Sequence, residues 1–319
     1  MLVYLGKRLV MSVLVGLLIV ILLAALIHVI PGDPVQIILG PRASPELSQT
    51  VREDMGLDKP VYQQVGDFIW GVLHGNLGED FVTGLPVRSL IAGALPNTII
   101  LALAGLGLAV LVGVPLGVLA ATRPNTIVDR VAGILSVSMI TMPAYVAGLF
   151  LLLLFALHWP ILPAVGTGSL SDPIDYLRHL ILPAVALGLG WIGYFARLVR
   201  TSMLEVLSSN YVRTAYAFGI PERTIFYKYA LKNALVPTVA VLGVGLGTLL
   251  GGAIFVEVIF ARNGLGQLIF SAIATRNYPI VRGAALVIAL LFVAANLVAD
   301  LSYRFLDPRI RLEEQGTAV

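Results

Sequence analysis

The chain has 319 residues, a formal net charge of +3, 58% hydrophobic residues and only 12% charged residues. A soluble domain carries about twice that charged fraction, and the recurring apolar runs of about 20 residues exclude both a soluble protein and a barrel of short alternating strands. Because the sequence has no cysteine, disulfides, thiolate metal sites and cysteine nucleophiles are excluded as well.

The apolar runs predict an all-α polytopic membrane protein with six transmembrane helices. Lys7 and Arg8 precede the first run, which is too long for the apolar region of a signal peptide and has no small-residue cleavage site after it. We therefore interpret this run as a retained span. The predicted spans cover about 9–30, 97–121, 131–157, 179–199, 238–259 and 281–302.

The charge distribution predicts the orientation. An even number of spans places both termini on one side, and the inner segments are then 1–8, 122–130, 197–237 and 300–319. These segments hold 13 of the 21 lysines and arginines but only 7 of the 18 acidic residues. Since basic loops remain on the cytoplasmic side, the N- and C-termini are predicted to be cytoplasmic.

Four regions follow from this topology. They are an N-terminal tail with the first span (1–30), an extracytoplasmic region (31–95), a core of five spans with a long inner loop at 200–237 (96–305), and a cytoplasmic tail (306–319). In the extracytoplasmic region, Pro34 and Pro60 interrupt regular helix. Apolar residues between Tyr62 and Trp70 predict a short amphipathic helix on the membrane or over the outer mouth.

The predicted spans are almost free of ionisable side chains. His28 and Glu257 lie near outer ends, Arg197 near an inner end and Asp300 near the last inner boundary, and we interpret these as interfacial. This pattern disfavours an ion-coupled carrier. The sequence contains no phosphate-binding loop, zinc-protease motif or nucleophile elbow, so we predict no catalytic residue and no metal site.

Small residues are frequent in the second and fifth spans. They allow helices to approach closely, and two interpretations stay open, ordinary tight packing or a helix that moves or lines a path. Pro115 and Pro143 predict kinks within their spans. The glycines are Gly105, Gly107, Gly113 and Gly117, then Gly243, Gly245, Gly247, Gly251 and Gly252.

The inner loop contains a polar, basic and aromatic stretch from Asn210 to Lys228. Ser208, Ser209 or Asn210 is expected to cap a helix of about two turns that ends at Phe218. The spacing of Tyr211, Thr214, Ala215 and Phe218 places these four on one face, with Arg213 pointing elsewhere.

A turn and a second helix follow. Gly219 is predicted to adopt a left-handed conformation after the first helix. Pro221 and Glu222 suit the first turn of the next helix, which we expect to run to about Val236. Two interpretations are open, a hairpin that packs beneath its own bundle or a docking element for another protein. The aromatic content favours docking.

Several motifs resemble a known family. Arg213-Thr-Ala-x-x-x-Gly219 is similar to the Glu-Ala-Ala-x-x-x-Gly coupling motif of permeases from binding-protein-dependent ABC importers, although Arg213 and Thr214 replace its first two residues. The stretch from Asn210 to Gly219, with Lys232-Asn-Ala-Leu-Val-Pro237, resembles the oligopeptide/dipeptide branch, which includes nickel and glutathione importers. The similarity extends along the chain through Pro31-Gly-Asp-Pro34, Gly56-Leu-Asp-x-Pro60, Gly75-Asn-Leu-Gly78, Leu95-Pro-Asn-Thr98, Gly113-x-Pro-Leu-Gly117, Gly251-Gly-Ala, Val256-Glu257, Gly264-Leu-Gly266, Tyr278-Pro279 and Leu306-Asp-Pro-Arg-Ile-Arg311.

Two outer segments depart from that branch. Ala261-Arg-Asn-Gly264 stands where Trp-Pro-Gly is more usual, and Asn277 stands where Asp commonly precedes Tyr-Pro. Both departures concern the side where a receptor docks or a gate closes.

The resemblance implies a type I ABC importer permease in the plasma (inner) membrane of a prokaryote. It implies a second homologous permease, two cytoplasmic subunits that bind ATP and Mg, and an extracytoplasmic binding protein as partners. It implies no nucleic acid partner, and this chain would be neither an enzyme nor a cofactor-binding protein. The residues expected to couple it to the ATPase are Tyr211, Arg213, Thr214, Ala215, Phe218, Gly219, Pro221, Glu222 and Arg223.

The outer gate or substrate path is assigned to Glu257, Asn97 and Gly251. Glu257 is either a gate or substrate-amine contact or an interfacial structural acid. Di- or oligopeptides are the expected substrates, with nickel chelates and glutathione as alternatives within the branch. An ion-coupled carrier and an intramembrane enzyme are rival classes, and both would need ionisable groups at depth that the spans lack.

Overall fold

The computed structural model describes residues 6, 10–11, 13–22, 35, 44–54, 56, 58–169 and 171–306. Regular structure in these ranges is helical, apart from one isolated antiparallel bridge between Glu79 and Pro86. The all-α prediction is confirmed. The helices are α1 (Val13–Leu22), α2 (Pro45–Asp54), α3 (Val61–Leu73), α4 (Val87–Thr122), α5 (Ile127–Thr141), α6 (Ala144–Leu152), α7 (Pro173–Leu207), α8 (Asn210–Ala217), α9 (Glu222–Thr224), α10 (Leu231–Ala234), α11 (Val236–Ile259), α12 (Leu265–Ala274) and α13 (Tyr278–Leu306).

Four of these helices are long and apolar enough to cross a membrane. They are α4, α7, α11 and the Tyr278–Ala299 part of α13, and each overlaps one predicted span. Helix α4 begins ten residues before the predicted boundary at 97, because the apolar pattern continues into the outer region. Helix α3 confirms the predicted amphipathic helix and begins directly after Pro60. Of the predicted first span, only 10–11 and 13–22 are among the described residues.

The predicted span 131–157 is not one continuous helix. Helix α5 and the helical stretch Ala144–His158 are bent by 103° at their junction. Pro143 immediately precedes α6 with an extended backbone, and proline disfavours helical geometry in the residue before it. The kink expected at Pro143 is therefore a break, whereas Pro115 lies inside α4 without ending it.

The chain divides into two compact units, unit 1 (1–99 and 261–293) and unit 2 (100–260 and 294–319). The core of unit 1 is formed by apolar residues from the start of α4, from α12 and from the start of α13. It consists of Val87, Ile91, Ala94, Leu265, Ile269, Ala272, Ile280 and Ala284.

Helix α7 is the centre of unit 2. Ile192 and Phe195 pack against Ala109 of α4, and α5, α6 and α11 also contact α7. The approach of α4 is close because two of its interface residues have no side chain. A Cβ atom built on Gly113 would lie 2.6 Å from the Ile192 carbonyl oxygen, and one on Gly117 would lie 2.5 Å from the Ala196 carbonyl oxygen.

An ion pair joins α5 to α7. Arg200 donates from Nε to Asp129 Oδ1 at 2.5 Å and from Nη2 to Oδ2 at 2.8 Å. The Asp129 side chain is only 7% exposed and also accepts the Asn125 backbone N–H at 3.0 Å. Two parallel charge-assisted hydrogen bonds fix orientation as well as distance, so this pair holds the start of α5 against α7.

A leucine at Gly113 should push α4 away from α7, because the space of its Cβ is already occupied by backbone. We expect Gly113→Leu to destabilise the folded chain by about 1–3 kcal/mol, the usual cost of overpacking. Thermal unfolding of the purified protein in detergent measures this loss. Gly107→Leu is the matched control, since a Cβ at Gly107 meets nothing within 4 Å. Equal unfolding temperatures for the two variants would contradict the packing argument.

Candidate functional site

The predicted polar stretch from Asn210 to Lys228 lies close to the end of α7, separated from it by Ser208 and Ser209. The Ser208 and Ser209 hydroxyls donate back to the Glu205 and Val206 carbonyl oxygens, at 2.7 and 2.6 Å. No side chain caps α8, so the predicted cap by residues 208–210 is wrong. The physical reason is that the last carbonyls of α7 lack helical partners and recruit these hydroxyls as donors.

The turn after α8 follows the prediction. Gly219 has φ of 71°, and its N–H donates to the Tyr216 carbonyl oxygen at 2.9 Å, while the Ile220 N–H donates to that of Ala215 at 3.2 Å. These two bonds define a Schellman motif, in which a left-handed glycine closes the helix. Ile220 then packs onto the small cluster beneath α8.

The four residues predicted to share one face of α8 differ in burial. Ala215 is buried together with Val212, which is 0% exposed, and with Ile225. Tyr211, Thr214 and Phe218 are instead exposed, Phe218 at 81%. Helix α8 therefore rests on its own unit through small and branched residues. It presents Tyr211 and Phe218 outward. The packing interpretation therefore describes the inner face, and the outer face stays available to the docking hypothesis.

The second half of the hairpin differs in detail from the expected helix. Pro221 caps α9 from outside its first turn, and Glu222 is the first residue of α9. After three residues the chain widens into a π-helical segment, Ile225–Ala230, before α10. The sequence had not predicted this segment. It buries both of its end residues.

A side-chain hydrogen bond ties the two halves together. Asn233 donates from Nδ2 to the Tyr211 hydroxyl at 2.8 Å. Burial raises the pKa of the Tyr216 phenol, and the nearby Glu222 carboxylate raises it further. The two halves of the hairpin are therefore held by contacts with each other and with α4 and α7.

The outward surface of the hairpin, which we call the coupling surface, is aromatic and basic. Aromatic residues and arginine are enriched in protein–protein interfaces, whereas lysine is depleted there. All nine residues predicted for coupling lie in this hairpin, and all except Ala215 are exposed. The coupling surface consists of Tyr211, Arg213, Thr214, Phe218, Arg223, Tyr227 and Lys228.

The three residues assigned to the outer path differ in burial. Glu257 of α11 is 0% exposed, so it is not the interfacial snorkelling acid that the sequence indicated. Gly251 lies on an exposed part of the same helix, and a Cβ there would meet nothing within 4 Å. In unit 1, Asn97 is buried and donates from Nδ2 to the Asn263 carbonyl oxygen at 2.7 Å.

Unit 1 also contains a buried polar group that the sequence had not predicted. Asp80 accepts hydrogen bonds from the Thr83 hydroxyl, the Val82 N–H and the Asn277 side-chain amide. Burial raises the pKa of Asp80, but these hydrogen bonds outweigh it and hold the pKa below its usual value. Asn277 is only 2% exposed. Asp80 and Asn277 are 197 residues apart, so no local spacing signals their contact.

Protein-family models and curated sequences both match this chain to membrane components of transport systems. Residues 113–312 match the family described as binding-protein-dependent transport system inner membrane component, and residues 1–102 match the N-terminal family of such membrane components. The dipeptide transport system permease protein DppB of Escherichia coli (strain K12) is 38% identical over 318 residues, covering 92% of this chain and 94% of that protein. The probable peptide ABC transporter permease protein y4tP of Sinorhizobium fredii is 39% identical over 310 residues, covering 97% and 99%.

A solved structure shares the fold. A chain of the MetNI methionine ABC transporter, in an inward-facing conformation, matches with a TM-score of 0.58 and 19% sequence identity. The match covers 69% of the present chain and 97% of that chain. The type I ABC importer permease fold predicted from sequence is thereby confirmed.

Asn277→Asp should make the stability of the chain depend on pH. The variant would place a second carboxylate against Asp80, which raises the pKa of one of the two in the folded state. A carboxyl group whose pKa is raised in the folded state lowers the free energy of unfolding as pH rises. The variant should therefore lose little stability in acid and about 1–3 kcal/mol at pH 8, relative to wild type. Thermal unfolding at pH 5 and pH 8 tests this.

The matched control for that experiment is the exchange variant Asp80→Asn/Asn277→Asp. It restores one carboxylate and one amide at the same contact, so its pH dependence should return toward that of the wild type. The same unfolding temperature for Asn277→Asp at both pH values, relative to wild type, would contradict the interpretation.

Proposed function

This chain belongs to the inner membrane components of binding-protein-dependent transport systems, and from that membership we propose that it forms the pore of an ATP-driven importer for di- or oligopeptides. The names of the relatives support peptides as substrates. The observation that carries the proposal is the coupling surface, because it offers an exposed, ordered contact at the end of a long helix. A chain without a nucleotide-binding motif of its own needs such a contact to receive energy from ATP.

The proposed assembly contains five chains in addition to the bilayer. They are this subunit, a second homologous permease, two cytoplasmic subunits that bind ATP and Mg, and an extracytoplasmic binding protein. We propose six spans with both termini in the cytoplasm of a prokaryotic cell, the region 31–95 outside, and the loop 200–237 facing the ATPase. The excess of basic residues in the inner segments supports this orientation.

The structure of the hairpin supports a mechanical role. Val212 and Ala215 bury one face of α8 against its own unit, and only Ser208 and Ser209 separate α8 from the end of α7. A displacement of α8 by the ATPase would therefore move α7, and with it the helices of unit 2 that pack on α7. Alternating access needs only a few kcal/mol of difference between two states, which closure of an ATPase dimer would supply through this contact.

For the outer path we propose Glu257, Asn97 and Gly251. A carboxylate in a membrane-spanning helix is costly and by default indicates function, and Glu257 is fully buried in α11. We propose that Glu257 contacts the gate or the substrate amine in a state where it is accessible. Gly251 offers an open helix surface to a passing substrate, and Asn97 positions the segment before α12.

The turn at Gly219 provides a test of coupling. Gly219→Pro removes the N–H that donates to Tyr216 and cannot adopt a positive φ, so α8 should lose its fixed end. We expect ATP-dependent uptake in proteoliposomes to fall about tenfold or more, a cost above 1.4 kcal/mol, while the spans insert normally. Gly219→Asn is the matched control, because asparagine tolerates the left-handed conformation. Undiminished uptake by a normally inserted Gly219→Pro variant would refute the coupling role.

Substrate identity is tested with the purified assembly. The binding protein is loaded in turn with a dipeptide, an oligopeptide, glutathione or a nickel chelate, and stimulation of ATP hydrolysis is measured. We expect peptides to stimulate hydrolysis most, and the unloaded binding protein serves as the control. Stimulation by nickel or glutathione alone would replace the peptide assignment, and uptake driven by an ion gradient without ATP would indicate a secondary transporter.

A further inference from the structure

Unit 2 contains a cleft of about 340 Å³ formed by residues of α4, α5 and α7. The coupling surface and the proposed substrate path do not include it. Asp129, Arg130, Arg197 and Arg200 contribute its charged part, and all four lie at the predicted inner boundary of their spans. The charged part of the cleft therefore lies at the depth of inner-leaflet headgroups if the proposed orientation is correct.

The cleft carries a net positive charge. Arg200 is neutralised by Asp129 through the two hydrogen bonds described above. Arg130 and Arg197 are exposed, and their side chains make no hydrogen bond or ion pair with any residue that the structure describes. Two basic charges from different helices thus converge on one cleft without a counter-charge of their own.

The remaining walls are apolar apart from Ser136, whose hydroxyl donates to the Ala132 carbonyl oxygen of its own helix. Leu116 and Ala120 come from α4, Ala132 and Val137 from α5, and Ala196 from α7. Leu116 and Val137 lie farther inside the predicted spans 97–121 and 131–157 than the arginines lie from the inner boundary. The cleft is therefore cationic at the membrane surface and apolar below it, which is the polarity of a phospholipid with an anionic headgroup.

We propose that this cleft binds an anionic phospholipid of the inner leaflet. Its phosphate lies near Arg130 and Arg197, and the first part of an acyl chain follows the apolar wall of α5. Basic residues between spans on the cytoplasmic side are suited to anionic headgroups. A free phosphate would gain nothing from the apolar walls, whereas a lipid uses both parts of the cleft. The proposal rests on the cytoplasmic orientation in the proposed function.

The test uses the full-length chain, purified with the subunits that accompany it, and phosphatidylglycerol as the probe. Binding is measured by native mass spectrometry of retained lipid and by titration with a fluorescent phosphatidylglycerol. Unlabelled phosphatidylglycerol, phosphatidylcholine and inorganic phosphate serve as competitors. We expect Arg130→Gln/Arg197→Gln to weaken phosphatidylglycerol binding about thirty-fold. Arg123→Gln is the control, since Arg123 is an exposed arginine of the same inner segment that does not line the cleft.

A second variant fills the cleft without changing its charge. Gly133 lines the cleft, and a Cβ there meets nothing within 4 Å, so Gly133→Leu should enter the cleft without straining its own helix. We expect it to reduce retention of phosphatidylglycerol as well. Leucine is a better helix former than glycine, so a loss of lipid would not come from unfolding of α5.

Three results would overturn the proposal. Equal losses for Arg123→Gln and the double variant would indicate diffuse attraction between a basic surface and lipid. Competition by inorganic phosphate as strong as that by phosphatidylglycerol would indicate a simple anion site. Loss of an accompanying subunit from the double variant, with lipid retention unchanged, would indicate a protein partner in the cleft. Lipid retention does not depend on the transported substrate, so this test and the substrate test fail separately.

Discussion

Apolar side chains gain little by leaving lipid for a helix interface, so helices in a bilayer associate through close packing of backbone and small residues. In unit 2 this packing takes place along α7. Gly113 and Gly117 of α4 allow its backbone to approach the carbonyl oxygens of Ile192 and Ala196, and Gly193 of α7 does the same against Ser136 of α5. Of the two interpretations of the glycines in the second span, tight packing describes Gly113 and Gly117, whereas a Cβ atom on Gly107 would meet nothing within 4 Å.

Helix α7 is also the longest of the helices that lie wholly within unit 2 in the part of the chain that the structure describes. The helix runs unbroken from Pro173 to Leu207 and is held by neighbours along most of its length. The hairpin that follows is anchored to it through a small apolar cluster. A continuous helix with an exposed hairpin at one end is consistent with the coupling role proposed for it. The Arg200–Asp129 ion pair extends the same connection to the start of α5.

Among the residues that the structure describes, several buried polar side chains have specific partners. Asp80 and Asn277 form one such contact in unit 1, where an aspartate at position 277 would face a second carboxylate. Asn277, which departs from the Asp that commonly precedes Tyr-Pro, is the residue that donates to Asp80 here. Burying charge is costly unless it is hydrogen-bonded, so these sites are more informative than the apolar surface around them.

Features that depend only on neighbouring residues were predictable from the sequence alone. Long apolar runs predict spanning helices whatever surrounds them, and a glycine after two helical turns predicts a left-handed cap, because both depend on neighbours within a few residues. The tertiary structure decided which residues of α8 face inward, since Val212 and Ala215 match a cluster that includes Ile225 from another helix. The local geometry of proline accounts for the break at Pro143, but the tertiary structure also decided the burial of Glu257 and the pairing of Asp80 with Asn277. Each of these depends on packing or hydrogen bonding between distant residues, which sequence periodicity does not encode.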